Sequence, residues 1–334
     1  MKKPPFSCDC SPLNRRNFIK STATALAGAA ILPQLPRLRA SDSASSETLV
    51  TTLYKSLNEQ QRQAVCFAFD HPLRSKVDNN WHITDKKISG FFNPDQQQMV
   101  KEIFMGLHSP EYAEKVYKQV EHDSEKEGFG GSSVALFGEP GTGKFEFVLT
   151  GRHCTRRCDG DSVQGAAFGG PIFYGHAAHG FYEKADHPGN AYWYQAVQAN
   201  KVFQMLDGKQ QKLALLGDGR EEKGTETVKL TGKSNDLPGI SMTDLSSDQK
   251  EQVKKTLADL LAPFRKADAD EAMKLIQANG FDHLHMAFYK NQDVGNDKVW
   301  DVWQIEGPAM LWYFRGDPHV HTWVHIRDAA EKAA

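Results

Sequence analysis

The feature that most limits what this chain can fold into is the order in which apolar residues at helical spacing and at strand spacing follow one another. Between residues 58 and 122, apolar side chains recur at helical spacing, and Asn58 and Asn93 are placed as N-caps of helices. From about residue 133 the period changes to two, at residues 134–137 and 145–149, which predicts strands. Helices followed by antiparallel strands indicate an α+β fold.

The same order returns in the C-terminal part of the chain. Ser246 is placed as the cap of one helix, a shorter helix is predicted from about residue 269 to 278, and strands are predicted after it. These strands are predicted at residues 284–289, 299–305, 310–314 and 320–326. We therefore expect one compact α+β domain over residues 41–330 with two similar halves, at about 50–180 and 240–328, and a duplication would explain them.

Three further segments have weaker patterns. Residues 41–47 are polar and Ser-rich, which predicts a leader without secondary structure. Residues 190–206 have the spacing of a further helix between the two halves. Residues 217–238, rich in Lys, Glu, Gly and Thr, indicate a hairpin excursion or an exposed loop.

The first 40 residues have the composition of a signal peptide. Arg15 and Arg16 precede a short apolar stretch at residues 21–32, and Ala40 offers a cleavage position before Ser41. The arginine pair resembles the twin-arginine export signal, so we expect the twin-arginine machinery as a partner and a periplasmic or extracellular location. The alternative is an amphipathic helix or membrane anchor, but an apolar stretch of this length is too short to span a bilayer.

The distribution of charge bears on the class of partner. Residues 1–40 hold seven basic side chains and one acidic one, so the remaining residues carry 33 bases against 41 acids, a net charge of −8. Binding to nucleic acid needs a concentrated basic face. An acidic mature protein therefore argues against a nucleic-acid partner.

A glycine-rich segment at residues 138–144 matches part of a phosphate-binding loop. That loop requires Ser or Thr after its Lys and a helix that follows, because the hydroxyl binds magnesium and the helix N-terminus faces the phosphates. Here Phe145 follows Lys144, and the next residues alternate as a strand does. The sequence thus favours a turn between two strands, and we expect no bound nucleotide.

The histidines carry the candidate site. His319, His321 and His325 would share one face of a strand, and imidazoles two residues apart on a strand can bind one metal ion together. His153 would lie at the end of the strand that begins at Phe145, on the face of that strand's Phe and Leu side chains. If the halves pack symmetrically, His153, His319 and His321 form a three-histidine site for one divalent metal ion, Zn, Fe, Mn or Cu.

The alternative is that these are hydrogen-bonded or surface histidines without a ligand. For His283 and His285 we favour that structural interpretation, since half-buried strands often carry polar side chains on alternate positions. His176, His179 and His187 lie in a Gly- and Ala-rich stretch whose spacing fits no metal-binding helix. Cys154 and Cys158 could form a disulfide or remain free thiols.

Landmarks spread over the whole mature chain occur in an order that matches a known family. They are Gln60-Gln61-Arg62, Asp70 with Arg74 and Trp81, Gln96, Leu107-His108-Ser109 with Tyr112, residues 137–140, Gly151-Arg152-His153, residues 171–175, Glu306-Gly307-Pro308 and His319-Val320-His321. Together they resemble the mostly secreted bacterial domain-of-unknown-function family 3500. The resemblance implies an exported α+β protein and no particular activity. The first histidine element of the family tends to be Gly-His-His, and Arg152 replaces its first histidine here.

Two functions from different classes are consistent with these features. One is a metal-dependent enzyme, hydrolytic or oxidative, whose ion is bound by His153, His319 and His321. We expect Arg152, on the opposite face of its strand, to point away from that site. The other is a non-catalytic exported binding or envelope protein whose histidines are structural. Metal content of the mature protein distinguishes the two.

Overall fold

The structure is a computed structural model that describes residues 45–176, 190–291, 293 and 298–328. The expected signal peptide lies outside these residues, as do His179 and His187. Within the described ranges, no helix combines the length and the apolar composition that crossing a bilayer requires.

Several of the helices begin after a capping residue whose side chain accepts a hydrogen bond from a free backbone N–H group. Asn58, Asn93 and Ser246, the predicted caps, each form a capping box with the glutamine three residues later. Asp207 does the same. The described helices are α1 (Ser46–Ser56), α2 (Glu59–Val65), α3 (Ile88–Phe91), α4 (Pro94–Gly106), α5 (Ala113–Asp123), α6 (Tyr194–Met205), α7 (Gly208–Ala214), α8 (Ser247–Leu261) and α9 (Lys266–Ala278).

The beginning of the described chain corrects the prediction of an unstructured leader. Ser45 accepts a hydrogen bond from the N–H of Thr48 and caps α1. Val50 and Leu53 of this helix are fully buried, and the hydroxyl of Ser46 donates to the carbonyl of Ile103 in α4 at 3.2 Å. A short helix that begins with polar residues is not stable alone, so packing on α4 stabilises α1. Sequence composition does not reveal such contacts.

The strands form one sheet. They are β1 (Cys66–Phe67), β2 (Ser133–Gly138), β3 (Phe145–Gly151), β4 (Cys154–Cys158), β5 (Ile172–His176), β6 (Leu215–Leu216), β7 (Ile240–Ser241), β8 (His285–Tyr289), β9 (Val302–Gly307), β10 (Met310–Arg315) and β11 (Val320–Ile326). Their order is β1-β2-β3-β4-β5-β11-β10-β9-β8-β6, with β7 beside β8. β1 pairs with β2, and β6 with β8, in parallel, whereas the other pairs are antiparallel. The α+β prediction is confirmed.

Both faces of the sheet are covered, which explains why strands such as β3 are buried along their whole length. On one face, side chains such as Phe147 and Trp312 join the core that the helices form. On the other face, Phe173 and Trp323 pack against Val77 and Val228, which come from connecting segments. This second face also carries the histidine group.

Most of the segment over residues 217–238 is exposed, as predicted, but part of it packs on the sheet. A 3-10 turn at Gly224–Val228 lies on the second face of the sheet, and Thr227 and Val228 are buried. Arg220 forms an ion pair with Glu306 of β9, with 2.5 Å between nitrogen and oxygen. Part of the segment therefore contacts the sheet, whereas the Lys–Glu pairs of its middle stay exposed.

The glycine-rich segment at residues 138–144 connects two strands. β2 ends at Gly138, the N–H of Glu139 donates to the carbonyl of Lys144 at 3.0 Å, and β3 begins at Phe145. The predicted turn is confirmed, and no helix begins at this segment, as a phosphate-binding loop would require.

The two cysteines of β4 remain free thiols. Cys154 and Cys158 stand at the two ends of the strand. Four residues of extended chain separate them by roughly 13 Å. That distance exceeds the reach of a disulfide, which leaves the free-thiol alternative.

Candidate metal centre

Two of the candidate histidines are positioned by strand β11. His321 lies in β11 directly opposite Gly175 of β5, and its ring is 5.2 Å from the ring of Phe173 on the second face of the sheet. His319 stands two residues earlier, just before the strand. Its Nε2 lies 2.9 Å from the Nε2 of His321.

The third ring reaches this group through a turn rather than through strand alternation. β3 ends at Gly151, and His153, in the connection to β4, has a φ of 49°. Its ring contacts Phe173, whereas Phe147 and Leu149 pack on the helix face. The prediction that His153 shares a face with those side chains is wrong, because a left-handed residue interrupts the alternation.

Gly175 provides the space for the ring of His153. A Cβ atom at position 175 would lie 2.2 Å from the carbonyl oxygen of Val320 and 3.2 Å from Cδ2 of His153. The N–H of Gly175 donates to the carbonyl of His153 at 3.1 Å, and Gln119 of α5 donates to the carbonyl of Gly175 at 2.7 Å. The sequence therefore needs glycine here for a packing reason, although its backbone conformation is ordinary.

The three rings bring one nitrogen each into close proximity. Nε2 of His153 lies 3.1 Å from Nε2 of His321, and all three ligand atoms lie within 4.8 Å of one another. Nitrogens about 3 Å apart subtend roughly 90–100° at an ion placed 2.0–2.1 Å from each. His153, His319 and His321 are the only such group of three or more potential ligands in the described part of the chain.

Two carboxylates bind the outer nitrogens of these rings. Oδ2 of Asp123, the last residue of α5, lies 2.5 Å from Nδ1 of His153. Oε2 of Glu222, from the segment that crosses the second face, lies 2.6 Å from Nδ1 of His321. A carboxylate on the far nitrogen of each ring is the arrangement that orients histidine ligands in metal sites.

These contacts indicate which nitrogen carries the proton when a ring is neutral. An ionised carboxylate only accepts, so Nδ1 of His153 and of His321 donates, and their Nε2 atoms keep their lone pairs. A nitrogen of Arg315 also touches Nδ1 of His321, but that guanidinium donates to Glu222 through Nε at 2.6 Å. An unprotonated Nδ1 would direct its lone pair at the anionic oxygen of Glu222.

Burial keeps the imidazoles of His319 and His321 neutral. Desolvation, together with the neighbouring His321, lowers the pKa of His319 to about 3. Desolvation also lowers the pKa of His321 to about 4, although its hydrogen bond to Glu222 acts in the opposite direction. Burial opposes the ionised form of Glu222, but His321 and the adjacent Arg315 outweigh it and lower the pKa of Glu222 to about 2. At neutral pH, therefore, neutral rings face an ionised carboxylate.

Arg152 does not point away from the site, contrary to the prediction. Its Nε lies 3.8 Å from the Oδ2 of Asp123 that also accepts from His153. The prediction assumed that strand alternation continues to residue 153. Because the turn brings His153 to the end of α5, both neighbouring side chains meet the same carboxylate.

Sequence reasoning missed Asp123 and Glu222. Asp123 ends an amphipathic helix with other charged residues near it, and Glu222 stands in a charged stretch. Neither has a spacing that relates it to a histidine 30 or 99 residues away. Only the tertiary structure brings carboxylate and ring together.

Of the histidines that the structure describes, the others take no part in the group. His285 is buried in β8 opposite Glu306, and His283 lies in the 3-10 turn before that strand. His176 is buried at the end of β5. His325 points along the second face, where its Nδ1 lies 2.9 Å from the carbonyl of Val228.

Comparison with known proteins agrees with the resemblance seen in the sequence. A family model described as a protein of unknown function, DUF3500, matches residues 40–330. Neither the curated proteins nor the solved structures contain a match. The chain therefore belongs to the DUF3500 family.

Proposed function

We propose that this protein is an exported enzyme that depends on one divalent transition-metal ion, bound by Nε2 of His153, His319 and His321. The observation that carries the proposal is the contact between the rings. His153 and His321 each donate from Nδ1 to a carboxylate, so their Nε2 atoms, 3.1 Å apart, bring two lone pairs together. Buried acceptors in direct contact repel each other unless a cation lies between them.

The ligand set favours a catalytic role for the ion. Three protein ligands leave positions for water and substrate, whereas structural zinc sites close all four positions with protein atoms. His319 is only partly buried, so solvent reaches the group from that side. An ion there would lower the pKa of a bound water or polarise a substrate oxygen. Zn and Mn would suit hydrolysis, and Fe or Cu oxidation.

Elemental analysis of the purified mature protein tests this function. We expect close to one equivalent of Zn, Fe, Mn or Cu per chain, and its removal by a chelator should lower the thermal midpoint of unfolding. A ligand present at 1,000 times its dissociation constant stabilises the folded state by about 4 kcal/mol. Protein that is metal-free and that neither binds nor is stabilised by added ions would support structural histidines instead.

We propose export through the twin-arginine machinery, with a mature N-terminus near Ser41. The support is in the sequence, where Arg15-Arg16 precedes a short apolar stretch and a small residue at position 40. N-terminal sequencing of protein from the exported fraction should begin near Ser41. The double variant Arg15→Lys/Arg16→Lys should remain in the cytoplasm. Full-length protein beginning at Met1, with a location that the double variant does not change, would contradict export.

We further propose that the domain arose by duplication of one unit. In the first half, and in the second half once it is extended back to residue 207, a cap is followed eight residues later by a two-residue edge strand, Asn58 by β1 and Asp207 by β6. The cap glutamines also pair in both halves: Gln61 with Gln96, and Gln210 with Gln249.

Under this duplication, two of the metal ligands have counterparts in the other half that are not histidines. β5 and β11 occupy equivalent places, which makes Phe173 the counterpart of His321, and the turn after Gly307 makes Ala309 the counterpart of His153. An alignment of the two halves across many family members should place Gly151 on Gly307. A best alignment shifted by several residues would contradict the duplication.

A further inference from the structure

We propose that Arg315 is a positioning residue of the metal centre, because its one guanidinium holds two of the three ligands in place. His321 is held through Glu222, and His319 through the carbonyl of Asp317. The inference rests on the proposed function, since it concerns the ligands of the proposed ion. It adds a requirement that the ligands alone do not impose: an arginine, rather than any cation, at position 315.

The contact with His321 runs through Glu222. Arg315 lies in β10 directly opposite His321 of β11, so both side chains project from the same face of the sheet. Nε of Arg315 donates to Oε1 of Glu222 at 2.6 Å, and its Nη2 lies against Oε2 of that carboxylate and against Nδ1 of His321. The same Oε2 accepts from Nδ1 of His321 at 2.6 Å. The guanidinium therefore fixes the carboxylate that orients the ring.

The contact with His319 runs through the turn between β10 and β11. Nη1 of Arg315 donates to the carbonyl of Asp317 at 3.2 Å. Only Pro318 separates Asp317 from His319, and the proline ring fixes its own φ. Few backbone rotations thus remain between the held carbonyl and the imidazole. Holding the carbonyl of Asp317 therefore restricts where the ring of His319 can lie.

A lysine at position 315 could not make these contacts together. A guanidinium is planar and carries donors on three nitrogens in a fixed geometry, whereas an ammonium is a single point of charge. Arg315 uses all three nitrogens, and its side chain is only 17% exposed. The turn also has a backbone anchor, since the N–H of Gly316 donates to the carbonyl of Asp301 at 2.6 Å. A change at Arg315 should therefore loosen the ligands without unfolding the turn.

The sign of the effect on metal affinity separates positioning from charge. Removal of a cation close to a metal ion strengthens metal binding if only the Coulomb energy changes. Loss of a contact that orients the ligands weakens it. Weaker binding by a variant that lacks the charge therefore identifies orientation as the contribution of Arg315.

The experiment titrates the full chain with Co²⁺, whose visible absorption reports on its ligands. Arg315→Gln and Arg315→Lys should each bind Co²⁺ about tenfold more weakly than the wild type and with an altered spectrum. Circular dichroism of the metal-free variants checks that each is folded. Lysine at position 315 with wild-type affinity and spectrum, or tighter binding by Arg315→Gln, would overturn the inference.

Arg265→Lys is the matched control for these variants. Arg265 also pairs with two carboxylates, Glu47 and Asp268, and its side chain is 25% exposed. Neither carboxylate contacts a ligand of the proposed ion, so we expect the affinity and spectrum of the wild type. A tenfold loss in this variant as well would assign the effect to general damage and overturn the inference.

A double-mutant cycle tests whether Arg315 acts through Glu222. In the background of Glu222→Gln, Arg315→Gln should lose part of its effect on Co²⁺ affinity. In the background of Asp123→Asn, which alters the orientation of His153, it should keep its full effect. Full additivity with Glu222→Gln would overturn the inference while leaving the metal site intact. Absence of any Co²⁺ spectrum in the wild type would instead overturn the proposed function and this inference with it.

Discussion

The variant His319→Ala is expected to lose its metal while keeping its fold. One of three ligands disappears, so the affinity for the ion should fall by at least about 100-fold and the metal content from near one per chain toward zero. His319 is partly exposed and precedes β11, so its truncation should change the stability of the metal-free protein by only about 0.5 kcal/mol. Elemental analysis and thermal unfolding with and without chelator measure both quantities.

Two kinds of comparison make this result specific. Asp123→Asn and Glu222→Gln keep the size of the side chains that orient His153 and His321, and should weaken metal binding by about 10- to 100-fold. His325→Gln changes a histidine of the same strand outside the group and should leave metal content unchanged. If His319→Ala retains a full equivalent of metal, the ion is held elsewhere.

The variant Glu146→Gln is expected to cause a large loss of stability. Glu146 is fully buried and pairs with Arg157 at 2.6 Å and with Arg74 at 2.9 Å. Arg157 is itself buried and donates to the carbonyls of Pro171 and Lys76. Without the carboxylate its charge stays in the interior, which costs about 3–5 kcal/mol and lowers the thermal midpoint by roughly 10 °C.

An exposed ion pair supplies the control for this substitution. Glu127 pairs with Lys87 at 2.5 Å, but both side chains are about half exposed. Glu127→Gln should therefore leave the free energy of unfolding nearly unchanged, because water screens the pair. Equal losses in the two variants would show that burial does not govern these pairs. Unfolding followed by circular dichroism measures both.

Local chemistry explains which elements of the fold the sequence predicts. The caps Asn58, Asn93 and Ser246 act on backbone N–H groups within three residues, so their effect is visible in a short window of sequence. The strands β2, β3 and β8–β11 likewise follow from the alternation that pleating imposes. Helix α1 was not predicted because its buried stripe is short and depends on α4, which begins 38 residues after α1 ends.

The histidine group was likewise predictable from the sequence only in part. Spacing alone places His319 and His321 on one side of β11, since residues two apart on extended chain face the same way. That His153 lies beside them depends on the antiparallel pairing of β5 with β11 and on a left-handed residue after β3, neither of which sequence spacing contains. Asp123 and Glu222 reach the rings from a helix end and a crossing segment. The sequence by itself thus determined the elements and one pair of histidines, because these depend on neighbours along the chain. Only the tertiary structure decided the third ring, its carboxylates and the charge around them, because those contacts join residues that the chain separates by 30 to 168 positions.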